Sequence, residues 1–306
     1  MSKFNHVQDI GHRNIISSLE DNIKNFLDWG FLNIGGFIDV NVPPSGNVGM
    51  AFAKPAVDPS FGNNTVWETQ IKDWVYESGV VHQNRSPINI SGIYLNNTFL
   101  PAPSGSGSYT YSLNYPLGRI SFNNPVSATS KVCLNYSYKY VQIYKANENV
   151  WWKELQESTY FKNNPDYNIT SNHRVQLPSI IIETIARNVL TPYELGTSEN
   201  IVDQDILLHI FTDNPVQRNS IIDTLILQKD KTLYLNDITK MIKNNVNPLN
   251  FKGEPNNNRL NYDQLQNNMA YFLKKCYVKN ASLSEINVFS NSLYNGIVRW
   301  TLEIFP

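Results

Sequence analysis

The sequence predicts an α+β protein, because three stretches of the chain differ in their hydrophobic pattern. Apolar residues near the N-terminus recur at helical spacing, the middle alternates short β-branched and aromatic runs with turn residues, and the C-terminal part combines strand-like runs with a helical segment. Strands and helices segregated along the chain are typical of α+β folds. We predict an N-terminal helix and arm over 1–79, an antiparallel β module over 80–146, a helix and linker over 147–176, and an α+β domain over 177–306.

The N-terminal region begins with an amphipathic helix between Asn14 and Trp29. Its apolar residues are three or four positions apart, which places them on one stripe of the helix. Gly30 can end the helix, and the glycines and prolines that follow predict an extended arm. Such a segment packs either against a neighbouring subunit or against its own domain. If it packs against a neighbour, the candidate interface residues are Ile15, Leu19, Ile23, Phe26, Phe31 and Phe37.

The middle region is predicted to form a small antiparallel β-sandwich. Runs at 93–95, 109–113, 119–122 and 132–144 are rich in β-branched and aromatic residues, and turn residues separate them. In the last run four tyrosines stand two or four positions apart, so they share one face of a strand. Such a tyrosine stripe either forms an interface or stabilises its own sheet by cross-strand pairing. The tyrosines, which are candidate interface residues, are Tyr136, Tyr138, Tyr140 and Tyr144.

The C-terminal region is predicted to combine several strands with one long helix. The helix begins at Asn214-Pro215, because proline favours the first helical turn, and it runs to Gln228. The strands are predicted at 179–186, 205–212, 233–235, 271–278, 283–289 and 296–305. A short helix at 151–161 and a polar connection at 163–172 precede this domain.

The charge balance argues against a broad nucleic-acid-binding surface. The chain has 25 basic and 26 acidic side chains, so no extended positive field attracts phosphates. Only 17% of the residues are charged, which suits a subunit whose faces are covered by neighbours, although an AT-biased genome explains the composition equally well. The sequence has neither a signal-peptide core nor a run long enough to span a bilayer. We therefore expect synthesis in a cytoplasm and no membrane contact.

The search for catalytic and metal-binding patterns is negative, so we expect neither an enzyme nor a cofactor nor a metal. The five histidines lack the spacing of metal sites, and Cys133 and Cys276 are too few for a disulfide framework or a metal knuckle. His209 lies inside an apolar run, where a histidine is usually a hydrogen-bonded core or interface residue.

Two other classes of function stay open. A carbohydrate- or receptor-binding module would use aromatic side chains as stacking platforms. The candidate platforms are Trp67, Trp74, Trp151 and Trp152. A cell-wall hydrolase would need convergent carboxylates with separated pKa values. The compact acidic set that the sequence offers is Glu68, Asp73 and Glu77.

The segment from Leu177 onward has a distinctive order of elements. A Leu177-Pro178 step leads into the strand-like run Ser179–Glu183, and Pro192–Gly196 forms a turn. A second run at Asp205–Thr212 then leads into a helix around Arg218–Asp223. This order resembles the tail terminator family of tailed bacteriophages. Simple tail terminators are much shorter than this chain, so an adaptor, a head-closure ring, a sheath-capping protein and a baseplate component also stay open.

The resemblance implies a virion structural protein of the neck or tail that acts by protein–protein assembly. It implies a homo-oligomeric ring of six or twelve copies. The expected partners are other neck, tail-tube or sheath proteins, with DNA at most passing through the lumen.

Overall fold

The computed structural model describes residues 15–43, 49–56, 64–102, 105–106, 109–146, 176–194, 200–290 and 293–305. Within these residues the chain is a mixed α+β protein, built mostly of strands in curled, predominantly antiparallel sheets. The predicted α+β class is therefore confirmed. The helix predicted at 151–161 and the linker predicted at 163–172 lie outside the described residues.

The helices and strands are divided between two compact units. The helices are α1 (Ile15–Asn33), α2 (Pro215–Ile226), α3 (Ile238–Lys243) and α4 (Tyr262–Gln266). The first ten strands are β1 (Phe37–Val40), β2 (Phe52–Pro55), β3 (Val66–Thr69), β4 (Gly92–Leu95), β5 (Thr98–Pro101), β6 (Gly105–Ser106), β7 (Tyr109–Asn114), β8 (Arg119–Phe122), β9 (Val132–Cys133) and β10 (Tyr136–Lys139). The other strands are β11 (Gln142–Lys145), β12 (Ser179–Pro192), β13 (Asn200–Thr212), β14 (Thr232–Asn236), β15 (Phe272–Ser290) and β16 (Leu293–Ile304).

Neither unit is continuous in sequence. The eight-stranded unit contains the described residues of 29–140 and 242–261, and the six-stranded unit contains those of 1–28, 141–241 and 262–306. The segment predicted as an arm supplies β1, β2 and β3 to the eight-stranded unit, so it is not a separate region. The predicted boundary at 79/80 is corrected accordingly. The reason is that pairing between strands distant in sequence, such as β2 with β9, leaves no local signal in the sequence.

The eight-stranded unit is built on a sheet with strand order β5-β4-β9-β2-β3-β8-β7-β6, and β1 and β10 form a second, two-stranded sheet. Its largest core side chains, Trp67, Trp74 and Tyr136, are each at most 2% exposed. The Trp74 indole donates a hydrogen bond of 3.2 Å to the Thr69 hydroxyl, and its ring packs edge-on against Tyr115. Large aromatic residues with satisfied polar groups therefore form this core.

The six-stranded unit has strand order β11-β12-β13-β16-β15-β14, with β11 and β12 parallel and the other pairs antiparallel. Along β16 the residues Val298, Trp300 and Leu302 are fully buried, whereas the intervening Arg299 and Thr301 are half-buried. Because side chains alternate across a strand, one face of the sheet is the core face and the other carries polar groups.

Helix α1 is enclosed by the six-stranded sheet. Its apolar residues Leu19 and Ile23 have no exposed surface. Three consecutive polar residues of α1 are also bonded to strands of this sheet. These pairs are Glu20 with Thr184 of β12, Asp21 with Lys145 of β11 at 2.7 Å, and Asn22 with the backbone of Asn236 of β14. Since β11 and β14 are the two outermost strands but reach adjacent residues of one helix, the sheet curls around α1.

Helix α2 packs on the core face of the same sheet. It is capped by Asn214, whose side-chain oxygen accepts a hydrogen bond of 2.8 Å from the Val216 amide. The Trp300 indole donates a hydrogen bond of 3.1 Å to the Leu225 carbonyl of α2, and its ring lies 6.3 Å from the Phe26 ring of α1. Trp300 therefore links both helices to the centre of the sheet.

Two predicted strand assignments are wrong in detail. The runs at 271–278 and 283–289 are parts of one strand, β15, whose pairing with β16 shifts register three times. A β-bulge inserts an extra residue and breaks the apolar alternation, so the sequence suggests two strands where one is present. The run at 132–144 divides into β9, β10 and β11, and the last of these belongs to a different sheet from the other two.

We expect the substitution Asn22→Ala to destabilise the protein by about 2 to 4 kcal/mol. The side-chain amide of Asn22 donates to the Asn236 carbonyl at 3.0 Å and accepts from the Asn236 amide at 2.8 Å, and both residues are buried. Alanine would leave the two backbone groups without these partners, each loss costing about 1 to 3 kcal/mol. Urea denaturation measures the effect. The control, Asn280→Ala at an exposed position of β15, should change stability by less than about 0.5 kcal/mol. Equal stabilities of the two variants would contradict the enclosure of α1.

Candidate protein–protein interface

The apolar stripe predicted as an interface is inside the fold. Leu19, Ile23, Phe26, Phe31 and Phe37 are each at most 8% exposed. These five side chains are therefore core residues of their own chain and offer no surface to a neighbour. Ile15 lies in the first turn of α1, and its side chain is outside the described part of the structure.

The predicted tyrosine stripe does not exist as one face of a strand. Tyr136 is fully buried, Tyr138 is half-buried, and Tyr140 follows the end of β10 with 37% of its surface exposed. Tyr144 lies in β11 of the six-stranded unit, where it packs against a small cluster that includes Phe211. Burial raises the pKa of both Tyr136 and Tyr138, as expected for phenols without free access to water. The chain passes from one sheet to another within these nine residues, which the alternation of the sequence does not reveal.

The predicted acidic set is used in structural contacts. Glu68 accepts a hydrogen bond of 2.5 Å from Arg119, and Glu77 lies 2.6 Å from the ammonium group of Lys139, whose side chain is 2% exposed. The carbonyl of Asp73 accepts a hydrogen bond of 3.1 Å from the Lys139 amide. The carboxylates of Glu68 and Glu77 thus contact cations of their own chain, and the contact shown for Asp73 uses its backbone carbonyl.

Two of the four tryptophans predicted as stacking platforms are described in the structure, and both are buried. Trp67 and Trp74 are at most 2% exposed and belong to the core of the eight-stranded unit. Trp151 and Trp152 lie outside the described residues. His209 is 5% exposed, and its Nε2 lies 2.7 Å from the Glu183 carboxylate. This agrees with the expectation that His209 is a hydrogen-bonded histidine within a strand.

No cluster of metal-binding side chains occurs in the described parts of the chain. Cys133 and Cys276 are buried and free. Burial raises the pKa of the Cys133 thiol and raises that of Cys276 to about 12. Because only the thiolate is a good nucleophile, neither thiol is suited to covalent chemistry near neutral pH.

The polar face of the six-stranded sheet carries paired charges. Asp205, which is 6% exposed, accepts hydrogen bonds from Arg299 and Thr301 of the neighbouring strand β16. Lys279 bonds to Asp203 at 3.1 Å and to Glu303 at 2.9 Å, and these two hydrogen bonds raise the pKa of Lys279. A face on which the charges neutralise one another in pairs gives no strong field of either sign.

The first apolar surface lies on the second half of β15. The residues Leu283, Ile286 and Val288, here called the β15 strip, are 42%, 47% and 61% exposed. Their partners in β16 are Val298, Gly296 and Tyr294, so the three side chains share the core-side face of the sheet. β14 pairs with β15 only as far as Tyr277, and no other described strand pairs with the outer edge of β15 beyond that point.

The second apolar surface lies at the end of β12, beside the start of β13. Val189, Leu190 and Tyr193, here called the β12–β13 tip, are 42%, 50% and 48% exposed. β11 covers the edge of β12 only from Ser179 to Ile182, so the tip extends beyond the covered part of the strand.

The two apolar surfaces lie at opposite ends of one sheet. The β12–β13 tip is at the end of the sheet where Val202 pairs with Ile304. The β15 strip lies towards the other end, where Ser290 pairs with Leu293. Exposed apolar side chains are candidates for contact with other molecules where they form a patch. The apolar residues were visible in the sequence, but their exposure depends on which stretches of strand the helices and neighbouring strands leave uncovered.

Comparison with known proteins does not assign the chain to a family. No protein-family model matches the sequence, and no curated protein matches it. Among the described helices, none combines the length and the apolar character needed to cross a membrane.

We predict that both cysteines of the native protein resist thiol reagents at pH 8. For Cys276, a pKa of about 12 leaves so little thiolate that labelling should be at least about 100-fold slower than in the unfolded chain. Timed alkylation followed by mass spectrometry, with and without denaturant, measures this ratio. Rapid labelling of Cys276 in the folded protein would show that its environment is not closed.

Proposed function

We propose that this chain is a structural subunit of a tailed-phage virion, forming a ring at the neck or tail end by protein–protein contacts. In this role it acts as a tail terminator or another head–tail connector component. In this role the protein acts by binding to other protein subunits, and it uses no catalytic group or cofactor.

The observation that carries the proposal is the placement of the β15 strip and the β12–β13 tip at opposite ends of one sheet. A chain with two separate apolar surfaces can contact two neighbours at the same time. When the two surfaces differ, the contact is head-to-tail, and repeated head-to-tail contacts close into a ring if the rotation between neighbours allows it. A self-complementary pair of identical surfaces would instead stop at a dimer.

Two further features support the proposal. The strand after Leu177-Pro178, the returning strand β13 and the helix α2 follow one another in the order on which the resemblance to tail terminators rests. The formal net charge of -1 and the paired charges on the open face of the sheet suit a wall past which DNA moves without sticking. The six or twelve copies, the position in the particle and the neighbouring neck, tail-tube or sheath proteins follow from the resemblance alone.

The alternatives from the sequence have weaker support. A carbohydrate-binding module would need exposed aromatic platforms, and Trp67 and Trp74 are buried. A hydrolase would need unpaired convergent carboxylates, and Glu68 and Glu77 are paired with Arg119 and Lys139. We therefore give neither of them as a second proposal.

The first test is the mass of the purified native protein, measured by light scattering over a range of concentrations, together with its distribution in fractions of particle lysates. We expect a closed ring of six or twelve copies, or co-migration with particles. A stable monomer that is absent from particles would refute the proposed function.

The substitution Leu190→Asp tests the contribution of the β12–β13 tip. A charge in this half-exposed apolar surface should raise the concentration needed for assembly about tenfold or more, without unfolding the monomer. The matched control is Val216→Asp, because Val216 is 74% exposed in the first turn of α2, where an acidic residue is well tolerated. If both variants assemble as the wild type does, the tip is not part of an interface.

A further inference from the structure

The strand β14 forms one edge of the six-stranded sheet, because β15 is its only partner among the described strands. Along an edge strand, the amide and carbonyl groups of every second residue point away from the sheet, where a strand of another molecule can pair with them. Tyr234 is such a residue. Its partner Lys275 accepts a hydrogen bond of 2.9 Å from the Phe305 amide at the end of β16, so the backbone groups of Lys275 point towards β16 and those of Tyr234 point outward.

The side-chain amide of Gln266 takes up both outward groups of Tyr234. Its oxygen accepts a hydrogen bond from the Tyr234 amide at 3.0 Å, and its nitrogen donates to the Tyr234 carbonyl at 3.0 Å. A residue of an added antiparallel strand would make the same two bonds, one accepted and one donated. Gln266 therefore stands in the position that a neighbouring strand would occupy.

Asn22 makes the same pair of bonds two positions further along β14. Its side-chain oxygen accepts from the Asn236 amide at 2.8 Å, and its nitrogen donates to the Asn236 carbonyl at 3.0 Å. Two side-chain amides in succession thus satisfy four backbone groups of the strand. They come from different helices, α1 and α4, and they close the same edge.

Both amides are held in place by the packing of their helices. Asn22 is 5% exposed within the enclosed helix α1. In α4 the side chain of Leu265, which precedes Gln266, is 3% exposed, and the Tyr262 ring lies 5.9 Å from the Phe26 ring of α1. An amide that is already fixed loses little side-chain entropy when it bonds to the strand. The closed edge is therefore part of the folded unit.

The residues of β14 themselves would not deter a second strand. The sequence of β14, Thr232–Asn236, contains no charged residue and no proline, which are the side chains that commonly protect edge strands. Tyr234 is 41% exposed, and its ring packs edge-on against the Phe272 ring of β15 at 5.6 Å. Threonine and tyrosine favour strand pairing. An edge with these side chains depends on the bonded amides for its protection.

We propose that the side-chain amides of Asn22 and Gln266 act as a substitute strand, which closes the β14 edge against pairing with a strand of a second copy. Gln266 is the critical member, because Tyr234 is the exposed one of the two bonded residues, whereas Asn236 is 3% exposed. Loss of the Gln266 amide would leave both outward backbone groups of Tyr234 open to another chain. The closure restricts association of the folded protein to contacts other than extension of the sheet at β14.

The substitution Gln266→Ala in the full-length protein opens the edge at Tyr234. We expect hydrogen–deuterium exchange of the Tyr234 amide, measured by mass spectrometry with fragmentation, to become about tenfold faster, because its acceptor is lost. We also expect species larger than those of the wild type in analytical ultracentrifugation at matched concentrations, with added intermolecular β-sheet signal in the infrared spectrum. The control is Gln264→Ala, the same change at an exposed position of α4, which should alter neither result. Unchanged exchange at Tyr234, or faster exchange without larger species, would overturn the proposal.

A second substitution separates opening of the edge from loss of stability. Gln266→Lys removes the same acceptor for the Tyr234 amide, but a lysine beside an edge strand discourages pairing through its charge. We expect faster exchange of the Tyr234 amide without larger species. Thermal unfolding followed by circular dichroism compares the stability of the two variants. If Gln266→Lys associates as much as Gln266→Ala does, the association results from lost stability and the proposed closure is wrong.

The outcomes are independent of the proposed ring. If the wild type forms rings and Gln266→Ala forms the same species as the wild type, the ring function stands and the closure of the edge is wrong. If the wild type is a monomer that is absent from particles, the ring function fails. The closure is then still supported if Gln266→Ala associates and Gln266→Lys does not, and it is overturned by any other result.

Discussion

The enclosure of α1 by the six-stranded sheet is the constraint on which the organisation of this unit depends. Buried polar groups need partners, and α1 places Glu20, Asp21 and Asn22 in positions where β12, β11 and β14 supply them. β11 and β12 lie at one edge of the sheet and β14 lies at the other. These bonds are therefore possible only when the sheet curls. Trp300, packed near Phe26 and bonded to α2, then fills the interior of the curl.

The same arrangement explains why apolar surface remains uncovered. The 12 residues of α2 span about 18 Å at the rise of an α-helix, whereas the 19 residues of β15 span about 60 Å when extended. Helices of this length cannot cover such strands from end to end. The uncovered edge of β15 contains bulges, which make pairing with another strand less favourable. Contact through side chains is therefore a better use of this edge than extension of the sheet.

Burial also bears on the classes of function that composition leaves open. The tryptophans and carboxylates that suggested glycan binding or hydrolysis are held in the core or in ion pairs, as in the contact of Lys139 with Glu77. Breaking a buried pair of this kind leaves an uncompensated charge, so removing one partner is destabilising. Among the described residues, exposed apolar side chains lie on the second half of β15, at the end of β12 and at Phe251.

The sequence by itself determined the fold class, the helices α1 and α2, and the main strands, because these follow from local periodicity and capping residues such as Asn214. Only the tertiary structure decided that α1 packs within its own chain, that β10 and β11 belong to different sheets, and that Phe251 faces solvent. The reason is physical. Periodicity reports which side of an element is apolar, whereas burial depends on residues distant in the chain, such as Asn236 for Asn22.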